Sequence, residues 1–277
     1  MAYKGYFPAQ TVKAAPFGLL SVATVVEHGE DDQHWAGLDF DFVRPLNGYT
    51  AGLWATCNAS ATATFYNSSS ADRFPTGSAL GITVDRTCST VGESIEDRTA
   101  DISAALDLVT GKAVERELWT GDFAKTLTPD GFFLASASAT NAGTASSVAH
   151  GLALLEEAVA ACGMGEQATI HMTRGTASGL GGNHIVERDG VLQTVSGSLV
   201  AAGAGYPGTG ADGTTKTFIY ATGPVAVHLG PIVVVEDRAS GGFDASDNTL
   251  LVRAERFAAF TTASDCLFRV QVDLTAL

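Results

Sequence analysis

The sequence predicts a mixed α+β fold, and three observations support this prediction. Three strand signals follow one another between Lys216 and Leu277, with almost no helical pattern between them. Two helical patterns, at 94–119 and 147–161, precede them in the middle of the chain. The 277 residues are 45% hydrophobic, enough for a real core in one large domain or two modest ones. Strands concentrated after the helices indicate segregated α and β parts.

The amino-terminal part of the chain is predicted to be an extended arm. Residues 1–26 are rich in apolar residues without a clear period, contain two prolines and carry only Lys4 and Lys13 as charged residues. Residues 27–41 then carry six acidic residues and no lysine or arginine. An apolar arm without its own core needs a partner surface.

Residues 34–92 predict a long two-stranded excursion. Leu38, Phe40 and Phe42 alternate with aspartates, which is typical of a strand. A weaker strand signal covers Gly77–Arg86 after a polar stretch. A two-stranded unit with little core is unstable alone in water, so this segment also needs neighbours.

The first helix is predicted to begin after Ser94, whose hydroxyl can cap the backbone while Asp97 completes a capping box. Gly111 is expected to kink or interrupt it. Apolar residues recur at helical spacing, whereas Arg98 falls mostly on another face. The predicted apolar face consists of Ile95, Ile102, Leu106, Val109 and Ala113.

A second helix is predicted over Ser147–Ala161, with Gly163 as its carboxyl-terminal cap. Two strands are predicted after it, at Ala168–Met172 and Leu192–Ala201. The run 217–235 is apolar and β-branched but broken by two Gly-Pro steps, which indicate turns or kinks.

The last two strand signals alternate. In 249–257, Val252 and Ala254 lie on one face and Arg253 and Glu255 on the other. From Cys266 onward a strict period of two predicts a half-buried antiparallel strand. Its apolar face consists of Phe268, Val270, Val272 and Leu274.

Composition excludes several classes of protein. A formal net charge of -14 argues against binding nucleic acid through a basic patch. There is no apolar run of about eighteen residues for a transmembrane helix, and the start shows no secretory signal pattern. The cysteines lack a CxxC pair and are expected to be reduced and mostly buried, although a Cys57–Cys88 bridge stays open if their segments are adjacent. The four are Cys57, Cys88, Cys162 and Cys266.

No motif assembles catalytic, cofactor-binding or metal-binding chemistry, so none of these sites is predicted. Gly203–Gly208 matches GxGxxG, but more turn sequence follows it where a dinucleotide site needs a helix, so a tightly turned or flexible loop is expected. The histidines share no ligand spacing, and the acidic run 27–32 and the pair Asp244 and Asp247 are expected to be solvated loops rather than calcium sites. HExxH, GxSxG and P-loop motifs are absent from the sequence.

The order of elements resembles that of the major capsid proteins of tailed bacteriophages, the Hong Kong 97-like fold that encapsulin shells also use. Ser94 to about Leu127 resembles the family's spine helix, with 113–121 similar to the motif that often ends it. Ser147–Ala161 resembles the helix of the axial (A) domain, and 187–192 its central loop and strand. Tyr220–Val225 and Leu251–Phe257 are similar to the closing strands of actinobacterial-phage capsid proteins.

The resemblance implies a division into five parts. These are an arm at 1–27, an extended E-loop at 28–92, a first part of the peripheral (P) domain with the spine helix at 93–130, an A-domain at 131–225 and returning P-domain strands at 226–277. It also implies that Val252, Ala254, Phe268, Val270 and Val272 pack on the apolar face of the Ser94 helix. The implied subunit-interface candidates are Tyr6, Phe7, Phe17, Trp35, Phe40, Trp54 and Phe65.

The function implied is that of a structural shell subunit without catalysis or cofactor, forming pentamers and hexamers that enclose phage DNA without sequence-specific contact. Separate scaffolding, portal and decoration proteins would be further partners, with no membrane involved. The location implied is the virion, after assembly in the host bacterial cytoplasm. The alternatives are an encapsulin-like or minor vertex capsid protein, a decoration module of the virion, and last an enzyme of α+β fold.

Two departures from the family limit what is carried over. Only some 26 residues precede the excursion, whereas some members begin with a scaffolding segment, so a separate scaffold or none is implied. Other members cross-link their shells through an E-loop lysine. No lysine lies between Lys13 and Lys112, so that chemistry is not expected here.

Overall fold

The computed structural model describes residues 13–29, 38–39, 76–77, 80–89, 94–123, 133–162, 165–208, 215–236, 243–244, 246, 249–263 and 266–275. Its helices are α1 (Leu19–Val22), α2 (Ile95–Thr120), α3 (Val148–Cys162) and α4 (Arg174–Leu180), followed by a 3-10 turn at Gly181–Asn183. The early strands are β1 (Thr24–Glu27), β2 (Leu38–Asp39), β3 (Thr76–Gly77), β4 (Leu80–Ser89) and β5 (Thr140–Thr144). The middle strands are β6 (Thr169–Thr173), β7 (Ile185–Arg188), β8 (Val191–Thr194) and β9 (Leu199–Gly203). The last are β10 (Lys216–Thr222), β11 (Val225–Leu229), β12 (Val233–Glu236), β13 (Phe243–Asp244), β14 (Thr249–Thr262) and β15 (Leu267–Asp273).

The described strands form two main sheets, which confirms the predicted α+β class. In the six-stranded sheet, β14 is the central strand and pairs antiparallel with β4, β11, β12 and β13, while β1 adds to β11 in parallel. The seven-stranded sheet has the order β5-β15-β10-β6-β9-β8-β7. A separate pair, β2 and β3, lies within the predicted excursion. Residues 40–75 between them lie outside the described residues.

Helix α2 covers one face of the six-stranded sheet. Its Ile102 and Leu106 are buried in one cluster, the first core, with Leu250, Val252 and Ala254 of β14. The prediction that Val252 and Ala254 pack on this helix is therefore confirmed. Two residues depart from the predicted helical faces: Val109 is 39% exposed, and Arg98 is buried.

The ends of α2 follow from local chemistry. The Ser94 hydroxyl accepts a hydrogen bond from the Asp97 N–H at 3.0 Å, as predicted. The helix runs without interruption through Gly111, contrary to the prediction, and the glycine instead allows α1 to approach, because an added Cβ would lie 3.3 Å from Leu20. It ends at Thr120 and not near Leu127, because Gly121 adopts the left-handed conformation (φ 59°) that commonly ends helices.

Helix α3 builds a second core on one face of the seven-stranded sheet. Its Leu152 and Leu155 are buried with Ile219 of β10 and with Val270 and Val272 of β15. Val270 and Val272 thus pack on α3, and Phe268 belongs to the same cluster. The prediction that these three residues pack on the Ser94 helix is wrong, because β15 pairs with β10 and not with β14.

Two further expectations need correction. The predicted strand Leu192–Ala201 is two antiparallel strands, β8 and β9, joined by a tight turn. The expectation that all four cysteines are reduced is wrong for Cys162 and Cys266, which form a disulfide with a Cα–Cα distance of 6.0 Å. Gly163, the predicted cap of the second helix, and the side chains of Cys57 and Cys88 lie outside what the structure describes.

Both predicted Gly-Pro breaks separate strands, and the first also moves the chain between sheets. Strand β10 belongs to the seven-stranded sheet, and β11, which begins after Gly223-Pro224, belongs to the six-stranded sheet. Alternate residues of β10 also face different cores: Ile219 and Ala221 lie in the second core, and Tyr220 in the first. The seven-stranded sheet is therefore covered by α3 on one side and by the end of α2 on the other.

Candidate assembly site

A buried carboxylate near the end of α2 joins three separate parts of the chain. Glu115 is 3% exposed. Its Oε1 accepts a hydrogen bond from the Leu19 N–H at 2.8 Å, and its Oε2 accepts one from the Gly205 N–H at 2.7 Å. Charge-assisted bonds to backbone N–H groups are strong, and losing one inside a protein leaves a buried polar group unsatisfied. Glu115 therefore fixes the amino-terminal segment and the Gly203–Gly208 loop to the same helix.

The glycines of the GxGxxG match allow the loop to approach α2 closely enough for this contact. A Cβ on Gly205 would lie 2.1 Å from the Lys112 carbonyl oxygen, and one on Gly203 would lie 2.5 Å from the Tyr206 ring. Gly208 has a positive φ of 73°. Of the two forms expected for this loop, these close approaches favour the tightly turned one, and within the described residues no helix follows it before β10.

Replacing Gly205 with alanine is expected to lower the free energy of unfolding by about 1–3 kcal/mol, because the new methyl group meets a helix carbonyl that cannot move aside. Chemical denaturation of the purified protein would measure the change. Gly182→Ala is the matched control, since nothing lies within 4 Å of a Cβ there. Equal stability of the two variants would contradict the close approach of this loop to α2.

The amino-terminal segment is held by its backbone. The Arg174 Nη1 donates to the Pro16 carbonyl at 2.7 Å, and the Ala202 N–H donates to the Phe17 carbonyl at 2.7 Å. Phe17 itself adopts a positive φ of 64°, which is uncommon for an aromatic residue, and Leu19 is completely buried. This part of the arm is therefore packed on its own chain.

Of the seven predicted interface residues, Phe17 falls within the described part of the chain. Its side chain is half-buried beside the contacts just described. The other six, Tyr6, Phe7, Trp35, Phe40, Trp54 and Phe65, lie outside the described residues. The set as a whole stays a prediction.

Strand β1 follows the amino-terminal segment and leads to a pair of neighbouring histidines, His28 and His228. β1 runs parallel to β11, and the His28 N–H donates to the Leu229 carbonyl at 2.9 Å. The His28 Nε2 lies 3.0 Å from the His228 Nδ1. Burial, and then the nearby His28, lower the pKa of His228.

A second buried polar group lies beside the Gly203–Gly208 loop. His171 is completely buried, with its Nδ1 2.9 Å from the Tyr206 hydroxyl and its Nε2 2.9 Å from Thr222 Oγ1. The Thr222 hydroxyl donates to the Gly223 carbonyl at 2.8 Å, so it accepts from Nε2–H, and Tyr206 donates to Nδ1. Burial, and then the Glu115 charge, raise the pKa of Tyr206, which keeps its hydroxyl protonated. The network is thus a neutral structural one.

The described residues also contain a shallow groove of about 330 Å³ beside α3. It is lined by Glu156, His184 and Ser196 among others, and the Glu156 carboxylate accepts hydrogen bonds from the hydroxyls of Thr194 and Ser196. These bonds fix the β8–β9 turn to the helix. Within the described ranges, no group of three histidine, cysteine or acidic side chains is placed to hold a metal ion, and no helix is long and apolar enough to cross a membrane.

The outer sheet face, which we define as the side of the six-stranded sheet opposite α2, exposes apolar side chains. Val233 is 46% exposed, Val235 43% and Phe257 45%. Val235 lies opposite Arg253, whose guanidinium binds Asp85 through two hydrogen bonds of 2.7 and 2.9 Å. An exposed apolar patch bordered by polar groups is typical of a protein-binding surface.

Comparison with known proteins finds the same architecture among solved structures but not among curated sequences. A scan against protein-family models finds no match, and no curated protein sequence matches. Among solved structures, a chain of the holo-SrpI encapsulin complex from Synechococcus elongatus is 10% identical with a TM-score of 0.59, covering 99% of this chain and 94% of that one. A chain from Mycobacterium phage Adephagia is 12% identical with a TM-score of 0.55, covering 98% and 95%. A chain of the capsid of a native GTA particle is 15% identical with a TM-score of 0.53, covering 96% and 99%.

The protein therefore has the fold of capsid and encapsulin subunits. This is the Hong Kong 97-like fold, as the order of elements in the sequence implied, and it accounts for nearly the whole chain. The Glu115 contact and the His171 network were not expected from the sequence. A weak signal for Glu115 was present, since it lies between the apolar residues Val114 and Leu118 on α2.

Proposed function

We propose that this protein is the structural subunit of an icosahedral phage capsid, assembling with copies of itself into pentamers and hexamers that enclose the DNA genome. The observation that carries the proposal is the extent of the structural match. The structural matches cover 96–99% of this chain and 94–99% of the three solved chains. The chain therefore shares their complete subunit architecture. In this proposal its location is the virion, after assembly in the host bacterial cytoplasm.

Surface chemistry supports a subunit that binds copies of itself. The outer sheet face offers Val233, Val235 and Phe257 to a neighbour, and burying such side chains is the main source of association free energy. The net charge of -14 argues against binding DNA through a basic patch, so in this proposal the DNA is enclosed without sequence-specific contact. Separate scaffolding, portal and decoration proteins would complete the particle. A structural role, and not an enzymatic one, agrees with the capsid neighbours.

The five-part division at 1–27, 28–92, 93–130, 131–225 and 226–277 stays a prediction. The sheets suggest one revision of it. β15 lies between β5 and β10 in the seven-stranded sheet, so residues 267–273 would belong with the A-domain part.

An encapsulin-like compartment is the second candidate, because the encapsulin chain matches with a TM-score of 0.59. The two functions differ in what the shell encloses. Particles that take up DNA with a phage packaging system would support the capsid, whereas particles that retain a co-expressed protein and no DNA would support the compartment.

The proposal is tested by expressing the protein alone and together with other head proteins of its source, followed by size-exclusion chromatography and negative-stain electron microscopy. We expect closed particles built from pentamers and hexamers. A stable monomer that forms no particle under any of these conditions would overturn the proposal.

Phe257→Ser is expected to lower particle yield at least tenfold while leaving the melting temperature of unassembled subunits nearly unchanged, because the residue is exposed in the monomer. Thr83→Ala, on the same face two residues along β4 from the partner of Phe257, is the matched control and should assemble normally. Normal assembly of Phe257→Ser would exclude the outer sheet face as an interface.

A further inference from the structure

The Cys162–Cys266 disulfide joins two elements that already pack on each other. Cys162 is the last residue of α3, and Cys266 directly precedes β15. The contact between α3 and β15 is tight, since a Cβ on Gly151 would lie 2.5 Å from Val272 Cγ1. Leu152, Leu155 and Val270 are buried in the same core. This packing brings the two cysteines together without help from the bond.

The two sulfur-bearing residues differ in access to solvent. Cys266 is 1% exposed, whereas Cys162 is only partly buried at the end of its helix. Of the two cysteines, Cys162 is therefore the more accessible to a small-molecule disulfide such as oxidised glutathione. The buried Cys266 lies next to Cys162, so its thiolate can attack a mixed disulfide formed at Cys162.

The Cys162–Cys266 disulfide closes a loop that includes strands of both sheets. The two cysteines are 104 residues apart, and the chain between them includes β6–β10 of the seven-stranded sheet and β11–β14 of the six-stranded sheet. Closing so long a loop removes much of the conformational freedom of the opened chain. The free energy needed to separate α3 from β15 is then higher in the disulfide-bonded protein, although no native contact changes.

We propose that Cys162 and Cys266 form a redox-dependent cross-link that closes after folding and stabilises the folded subunit. In the first step the Cys162 thiolate attacks a small-molecule disulfide, forming a mixed disulfide and releasing one small thiolate. In the second step the Cys266 thiolate attacks the Cys162 sulfur and releases the second small thiolate. The two cysteines lose two electrons and two protons, and the small-molecule disulfide is reduced to two thiols. This inference holds for any assembly state of the protein.

The test compares the reduced and the oxidised wild-type protein, so it needs no substitution. Protein purified under reducing conditions is treated with oxidised glutathione, and its intact mass and linked peptides are determined. We expect loss of two hydrogen atoms, a single linked pair of peptides containing Cys162 and Cys266, and the same circular dichroism spectrum before and after. Amide hydrogen exchange within 148–162 and 267–273 should slow by about 10²–10³-fold in the oxidised form.

The double variant Cys162→Ser/Cys266→Ala is the control, and its exchange should not respond to oxidised glutathione. Three results would overturn the proposal. In the first, the reduced protein lacks the folded spectrum, so that the bond would be a requirement for folding. In the second, Cys162 or Cys266 links to Cys57 or Cys88 instead. In the third, exchange in α3 and β15 is equal in the two redox forms.

Discussion

Replacing Trp119 with alanine is expected to lower the free energy of unfolding by about 3–5 kcal/mol, the usual cost of removing a fully buried tryptophan. Trp119 is 1% exposed, and its ring centroid lies 5.0 Å from that of Tyr206 and 4.8 Å from that of Tyr220. It therefore fills the space where α2 meets the loop after β9 and the strand β10. Chemical denaturation of unassembled subunits would measure the loss.

Phe123→Ala is the matched control for this substitution. Phe123 is 64% exposed, so removing its ring should change stability by no more than about 0.5 kcal/mol. Trp119→Phe should cost less than Trp119→Ala, since the Trp119 Nε1 has no hydrogen-bond partner within the described residues. Equal effects of Trp119→Ala and Phe123→Ala would contradict the packing of α2 against β10.

Acid is expected to destabilise the protein through His171. Burial lowers the pKa of this histidine from 6.5 to about 3. The unfolded chain takes up a proton on the ring below pH 6.5, whereas the folded chain does so only near pH 3. Stability contributed by the neutral ring is thus complete above pH 6.5 and is lost as the pH falls. The loss is about 2 kcal/mol between pH 6.5 and 4.5.

The measurement is the difference in unfolding free energy between wild type and His171→Gln from pH 7 to 4.5. Glutamine keeps one donor and one acceptor but does not titrate, so the variant should show a smaller acid dependence by the amount given. Asp85 does not interfere, because its pKa is lowered by its hydrogen bond to Arg253 and its contribution is lost only below its ordinary 3.8. Identical pH dependence of the two proteins would mean that His171 is not buried in its neutral form.

Local patterns predicted the elements well where one face of an element is buried. The alternation in β14 correctly separated buried Val252 and Ala254 from exposed Arg253, and the cap at Ser94 was correct. The faces of helix α2 were predicted less well, since Val109 is 39% exposed and Arg98 is buried. Gly111 was misjudged because helix propensity does not show that α1 needs a close approach there.

Pairing partners were harder to predict than faces. The alternation in β15 identified its apolar face, but a period of two does not say which helix covers that face. Phe268, Val270 and Val272 were therefore assigned to the wrong core. The Cys162–Cys266 bond was missed for a related reason, since contact between residues 104 positions apart depends on the whole topology.

The candidate site was largely beyond local patterns. The Glu115 carboxylate binds N–H groups of Leu19 and Gly205, which lie 96 and 90 residues away along the chain. Backbone donors leave no mark in the identity of the residue that supplies them. The glycines at 203 and 205 were the visible trace of this contact, and in the sequence they were indistinguishable from an ordinary turn.

The position of β14 has a consequence for synthesis on the ribosome. This strand, at Thr249–Thr262, is the one that joins β4 to β11, β12 and β13, and β15 follows it between β5 and β10. Neither sheet is complete until β14 and β15 have left the exit tunnel. A nascent chain therefore carries the apolar faces of α2 and α3 uncovered from the synthesis of these helices until β14 and β15 emerge, so we expect chaperones to bind the growing polypeptide in this interval.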